Sequence, residues 1–272
     1  SSRPQSDGRT GPLGASLRLP YFTATAWYHK KLPDDLQKKF LPQVLALSEE
    51  YSINQLMPLM AKGNSATESE KLEAAKTMSR FSGISEKAIM SYNLDVPTTF
   101  FWKELLREEG FTIGRLDSRY KGIDKIAGGD RPDYWAELTS WNHSFAPAIN
   151  YYFKNVLKFE TDVKYNLFGP VYPWDWKNNN SGESLRKAMA ANPYLHTMIQ
   201  SGYYDGATRY FDAKYTMWQL DPSGKMKDRL SFEGYRSGHM MYLREVDLIK
   251  SNSDIRKFIK KTTPSSTKPA KY

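Results

Sequence analysis

"LHTMIQSGYYDGATRYF", residues 195 to 211, starts as an apolar run and ends on a carboxylate. The run from Leu195 to Ile199 passes through small and aromatic residues into Tyr203-Tyr204-Asp205-Gly206. Its length suits a buried strand. A second stretch, "LSFEGYRSGHMMYL" at 230 to 243, alternates polar and apolar residues and stops at Gly238-His239. Two strand-like segments therefore each end in a chemistry-bearing side chain beside a glycine. Between them "TRYFDAKYTMWQL" (208–220) reads as a helix and "DPSGK" (221–225) as a turn, and "LREVDLIKSNSDIRKFIKK" (243–261) is a last helix. Strand, helix, strand, helix is an α/β order.

Upstream the pattern is helical. Leu36, Phe40, Leu41, Val44, Leu45 and Leu47 recur at helix spacing after Pro33-Asp34-Asp35. Thr67-Glu68-Ser69-Glu70 opens a second helix that Gly83 stops. Ser85 is a cap for a third, and "PTTFFWKELLREEG" is a fourth that closes at Gly110. Residues 17–33, "LRLPYFTATAWYHKKLP", read as a strand or loop entering a short helix. Residues 111–135 are glycine-rich and loop-like, 144–159 a helix, 172–183 an aromatic loop, and "ESLRKAMAANP" a helix ended by Asn192-Pro193. There is no internal repeat. Two strands are too few for a sheet covered on both faces, so the remaining strands are expected elsewhere.

Composition excludes several classes. Hydrophobic residues make up 40 % and charged residues 25 % of 272, which is ordinary for a globular chain. Aromatic content is high, with 18 Tyr and 7 Trp, as suits pockets as well as cores. The net charge of +9 is spread along the chain and mixed with acids, which argues against nucleic-acid binding. Its densest part is the tail, "RKFIKKTTPSSTKPAKY", whose composition reads as disorder. No apolar run approaches the ~18 residues of a membrane span. With no cysteine, thiolate nucleophiles and cysteine-type zinc sites are excluded. The opening, "SSRPQSDGRTGPLGAS", shows no signal-peptide pattern and no initiating Met, and reads as a processed or truncated end.

The order acid, then histidine, each after a late strand, is that of α/β-hydrolase triads. There the imidazole is base toward a serine hydroxyl and a buried carboxylate holds its tautomer. Asp205 and His239 meet that order. Gly238 is expected to let the loop turn sharply. Two plainer readings stand beside this one: Asp205 as a helix cap, and His239 as an ordinary satisfied histidine. His29 reads as lying at a helix start, His143 in a loop and His196 in a strand. No spacing among them is that of a metal site, and no glycine-rich nucleotide loop is present, so no cofactor is expected.

The segments "NPYLHTMIQSGYYDGAT" (192–208) and "SGHMMY" (237–242) resemble the acid and histidine loops of serine carboxypeptidases, the family of carboxypeptidase Y and cathepsin A. The bacterial branch of that family is also similar at "LPYFTATAWYHKKLP" (19–33), "KELLREEGFTIGRLDSRYKGID" (103–124) and "WDWKNNN" (174–180). The resemblance spans roughly residues 17–260, and it is to the C-terminal part of such enzymes. It implies an α/β fold holding the C-terminal strands of an α/β-hydrolase sheet plus a large helical cap. Residues 1–16 would be an unmatched flexible lead-in, 17–33 a core segment entering the cap, 34–180 the cap, 181–260 the C-terminal core and 261–272 a disordered basic tail. It implies that Asp205 is the triad acid, His239 the base and Met240 a residue lining the substrate pocket. It also implies a peptide substrate, and export to the periplasm or outside the cell in bacteria (vacuole or lysosome in eukaryotes).

The nucleophile is missing. Each of the four Gly-x-Ser triplets, ending at Ser16, Ser65, Ser85 and Ser184, is followed two positions on by Arg18, Thr67, Lys87 or Arg186 instead of glycine. "GESLR" at 182–186 resembles the family's elbow superficially, but no strand precedes it. In the family, the serine, the oxyanion glycines and the cluster that grips the peptide's terminal carboxylate lie in an N-terminal half that has no counterpart here. Loss of such a serine lowers turnover roughly 10⁶-fold, so the chain alone is expected to be nearly inactive. Two other readings are a non-catalytic fragment or aromatic binding module, and a related hydrolase chemistry such as acyl transfer.

Overall fold

The computed structural model describes residues 11–167, 169 and 181–263. Most of them are helical, in a mixed α/β arrangement with two small sheets. The expected lead-in at 1–10, the "WDWKNNN" segment and the tail from 264 lie outside the described residues.

The first element, α1 (Gly11–Tyr28), is one 18-residue helix, with every residue from Gly14 to Ala26 buried. This replaces the expected strand or loop at 17–33 and absorbs the last six residues of the expected lead-in. Two features hide the helix in the sequence. A helix buried on all sides has no polar face and hence no 3.6-residue rhythm. Pro20 within it argues for a break, because it removes a backbone donor. Packing outweighs that penalty here. Phe22 stacks on Phe101 at 3.9 Å between centroids, and Leu19, Tyr21 and Ala26 lie in the same core.

Around α1 gather α2 (Asp34–Gln37), α3 (Leu41–Tyr51), α4 (Met57–Ala61), α5 (Glu68–Ser82), α6 (Glu86–Ser91) and α7 (Thr98–Glu104). A π-helical turn, Ser52–Leu56, joins α3 to α4. The expected caps form: Thr67 Oγ1 accepts from Glu70 N at 3.2 Å while Glu70 returns a bond to Thr67 N at 2.8 Å, and Ser85 Oγ accepts from Ala88 N. The glycine-rich 111–135 segment is mostly loop, but it contains an antiparallel pair, β1 (Thr112–Ile113) with β2 (Lys121–Gly122). Next come α8 (Ala136–Tyr151), which starts eight residues before the expected 144, and α9 (Ser181–Ala191). The early start of α8 is held by the burial of Glu137 and Trp141, which no cap signal announces.

β3 (Thr197–Gly202) pairs in parallel with β4 (Leu230–Tyr235), Thr197 opposite Leu230 and Gly202 opposite Tyr235. The crossover contains α10 (Tyr210–Leu220), and α11 (Glu245–Thr262) follows β4. Side chains alternate between the faces. Ile199, Ser201, Phe232 and Gly234 share a cavity with Leu45 of α3 and Tyr210 of α10. Met198, Ser231 and Glu233 share one with Asp254 and Phe258 of α11. The strand pair is thus flanked by helices on both faces, yet all but the last residue of each strand is only partly buried. A second core cluster joins Leu17 and Ala24 of α1 to Leu41, Tyr204 and Phe211. α1 therefore packs into the helical block with one side and toward the strand tips with another.

Candidate functional site

The ladder of the parallel pair continues past the strand ends. Tyr203 N donates to Tyr235 O at 2.9 Å and Tyr204 N to Ser237 O at 3.0 Å. These bonds hold the two following loops side by side. Asp205 and His239, 34 residues apart in sequence, meet with His239 Nδ1 2.8 Å from Asp205 Oδ2. Asp205 is nearly enclosed, its side chain 5 % exposed, whereas that of His239 is 45 % exposed. A carboxylate only accepts, so Nδ1 carries the proton and Nε2 keeps its lone pair. Among the described residues no hydroxyl is hydrogen-bonded to Nε2.

Asp205 takes three further bonds. Oδ1 accepts from Ala207 N at 2.8 Å and Thr208 N at 3.0 Å, and Oδ2 accepts from Thr208 Oγ1 at 2.5 Å. The capping residue of α10 is Arg209, so Asp205 is not its helix cap; it holds the loop before the helix and the imidazole together. The hydrogen bond to Asp205 raises the His239 pKa above its ordinary 6.5, while partial burial and the Arg115 guanidinium oppose the rise.

A third segment, Arg115 to Ser118, braces both loops. Gly206 N donates to Arg115 O at 2.9 Å, His239 N to Leu116 O at 2.7 Å, and Ser118 N to Tyr204 O at 3.0 Å. The brace is itself held from two sides. Glu137, fully buried on α8, accepts from Arg115 N at 3.1 Å and Leu116 N at 2.7 Å. From α1, Thr25 Oγ1 meets Ser118 Oγ at 2.7 Å, and His29 Nε2, just past the helix end, donates to Ser118 O at 2.7 Å. Residues 25 and 29 are one helical step apart and so share a face.

The brace accounts for the glycines. A Cβ on Gly238 would lie 2.5 Å from Leu116 O and 2.5 Å from Asp117 Cβ, and one on Gly206 would lie 2.5 Å from the Tyr21 hydroxyl. Gly238 is required by this close approach, not by the sharp turn expected from the sequence; its φ lies outside the left-handed region.

A cleft of about 970 Å³ opens beside the acid loop, lined among others by Arg115, Thr208, Arg209 and the β3 residues Ile199, Gln200 and Ser201. Those three belong to the outer edge of β3, which pairs with no strand among the described residues. Met240 is half-buried next to His239, and its carbonyl accepts from Leu243 N. Ser184 is exposed on α9, within a helix.

The other histidines depart from their sequence readings. His29 lies just past the end of α1, not at a helix start; His143 lies within α8, not in a loop; and His196 directly precedes β3. Burial lowers the pKa of His29. Among the described residues no group of three or more His, Asp and Glu side chains is placed to hold a metal ion, and no helix is long and apolar enough to cross a membrane. No protein-family model, curated protein or solved structure matches the chain.

Sequence reasoning found the pair but not what positions it. Thr208, the 115–118 carbonyls and Glu137 were missed. Of these only Thr208 had a signal, its place in the acid-loop motif.

Proposed function

We propose that this chain contributes the acid and base of a serine-type hydrolase, and that it is the C-terminal portion of a serine carboxypeptidase. The observation that carries this reading is the 2.8 Å contact between a buried carboxylate and Nδ1 of a histidine whose other nitrogen is open. In the reaction, a serine hydroxyl from a segment outside these 272 residues sits at Nε2. His239 takes its proton as the oxygen attacks the carbonyl of the peptide's last amide bond. The tetrahedral adduct collapses, and His239 passes that proton to the nitrogen of the departing amino acid. Water, deprotonated by the same imidazole, then releases the shortened peptide from the acyl-enzyme. Asp205 stays ionised throughout and stabilises the imidazolium.

The unpaired edge of β3 supports the same reading. Parallel strands usually lie within larger sheets covered on both faces. Pairing a further strand to that edge would bring the serine-bearing segment alongside Thr208 and His239. Met240 then lines the substrate pocket, and export from the cell follows from the same resemblance.

Fluorophosphonate labelling tests the proposal. The chain alone is expected to give no adduct. Joined to a polypeptide carrying a strand and a Gly-x-Ser-x-Gly elbow, it should label at that serine, and His239→Ala should abolish the labelling. Labelling that survives His239→Ala, or an adduct on any serine of this chain alone, would overturn it.

A further inference from the structure

Thr208 touches both oxygens of the Asp205 carboxylate. Its backbone N–H donates to Oδ1 at 3.0 Å and its hydroxyl to Oδ2 at 2.5 Å. The same hydroxyl oxygen lies 3.3 Å from His239 Nδ1. The proton positions follow from chemistry. The carboxylate has no proton to give and Nδ1–H already points at Oδ2, so the single hydroxyl proton of Thr208 must go to Oδ2. Its lone pairs then face the Nδ1–H. Oδ2 is therefore shared by two donors, one of which has no part in moving the proton of the reaction.

This sharing has two consequences. The carboxylate cannot rotate about Cβ–Cγ without breaking three bonds from residues 207 and 208, so Oδ2 stays aimed at the imidazole. The hydroxyl also draws charge from the oxygen that the imidazolium feels. Of its two contacts, the 2.5 Å bond to Oδ2 outweighs the 3.3 Å approach to Nδ1, so the net effect is to temper the charge. The charged groups that act on His239 are Asp205 and, in opposition, Arg115.

We propose that Thr208 is a positioning residue for the Asp205–His239 pair: its hydroxyl orients the carboxylate and tempers the basicity of His239. The inference rests on the reading of that pair as an acid–base couple. Thr208 is an exposed residue at the rim of the cleft, and its hydroxyl lies within 3.3 Å of both Asp205 Oδ2 and His239 Nδ1.

The test is an NMR pH titration of the His239 ring in the purified chain. Thr208→Val keeps the side-chain shape and removes the hydroxyl. It is expected to move the His239 pKa upward by more than the precision of the titration, and to shift the downfield Nδ1–H resonance. Thr208→Ser should return both to the wild-type values. An unchanged or lowered pKa in Thr208→Val, or no rescue by Ser, would overturn the proposal. Circular dichroism of each variant checks that the fold is kept, and Thr208→Ser supplies the comparison if the valine variant is destabilised. Asp205→Asn separates the two levels. If it leaves the His239 pKa where it was, the acid–base reading and the Thr208 role both fall. If it lowers the pKa while Thr208→Val does nothing, only the Thr208 role falls.

Discussion

Asp205 and His239 show how much two side chains can carry. The imidazole is stabilised in its charged form by the hydrogen bond to Asp205, so its folded pKa lies above 6.5. Protonation therefore favours the folded state. This contribution is fully present below about pH 6.5, the unfolded value, and is lost as pH rises through the folded one. The stability difference between the wild type and His239→Asn should follow that course in denaturant titrations, and a flat difference from pH 5 to 9 would count against the coupling. Arg115 acts in the opposite direction, so Arg115→Met should raise the pKa of the ring. If the proposed hydrolase reading holds, the base must be neutral, and kcat/KM of the assembled protein should climb with pH through a value above 6.5. That these two side chains meet was legible in the sequence, because each directly follows a strand-like segment and the two strands pair in parallel. That Asp205 also holds its own loop was half legible, since the capping reading named the right kind of bond and the wrong recipient.

At the scale of elements, the brace at 115–118 converts strand ends into a site. Its sequence, "RLDS", has no periodicity, because it works through backbone carbonyls and amides that any residue supplies. That is why a span read as loop proves to be the most connected part of the site. Glu137 serves two amides with its two oxygens. Glu137→Gln leaves one of those amides without an acceptor and is expected to destabilise the protein by about 1–3 kcal/mol, read as a shift in urea midpoint. Gly238→Ala forces a Cβ to within 2.5 Å of the Leu116 carbonyl. Overpacking of this kind costs about 1–3 kcal/mol, and it should move the His239 ring resonances as well as the midpoint. The capped helices of the 34–110 block were legible because their signals are local: Thr67 and Ser85 accept bonds from residues three positions on. α1 was not, since its helicity is imposed by burial and its proline points the other way.

Over the whole molecule, α1 couples the helical block to the strand tips, since it takes part in both core clusters. Phe101 is fully buried, stacked on Phe22 and edge-on to Tyr21 of α1. Phe101→Ala should cost about 3–5 kcal/mol, and by loosening α1 it should broaden the His239 resonance although no contact joins the two. The mixed α/β class was legible from the alternation of the last elements, and the two strands read there, β3 and β4, form the parallel pair among the described residues. What the molecule does present is a proton-accepting nitrogen on a half-exposed imidazole, joined to an acid loop whose Thr208 lines a cleft. The most direct check is the titration of the His239 ring by NMR in the wild type and in Asp205→Asn. A wild-type value above 6.5 that drops in Asp205→Asn is the expected result, and identical values in the two proteins would end the proposal that these side chains work as an acid–base pair.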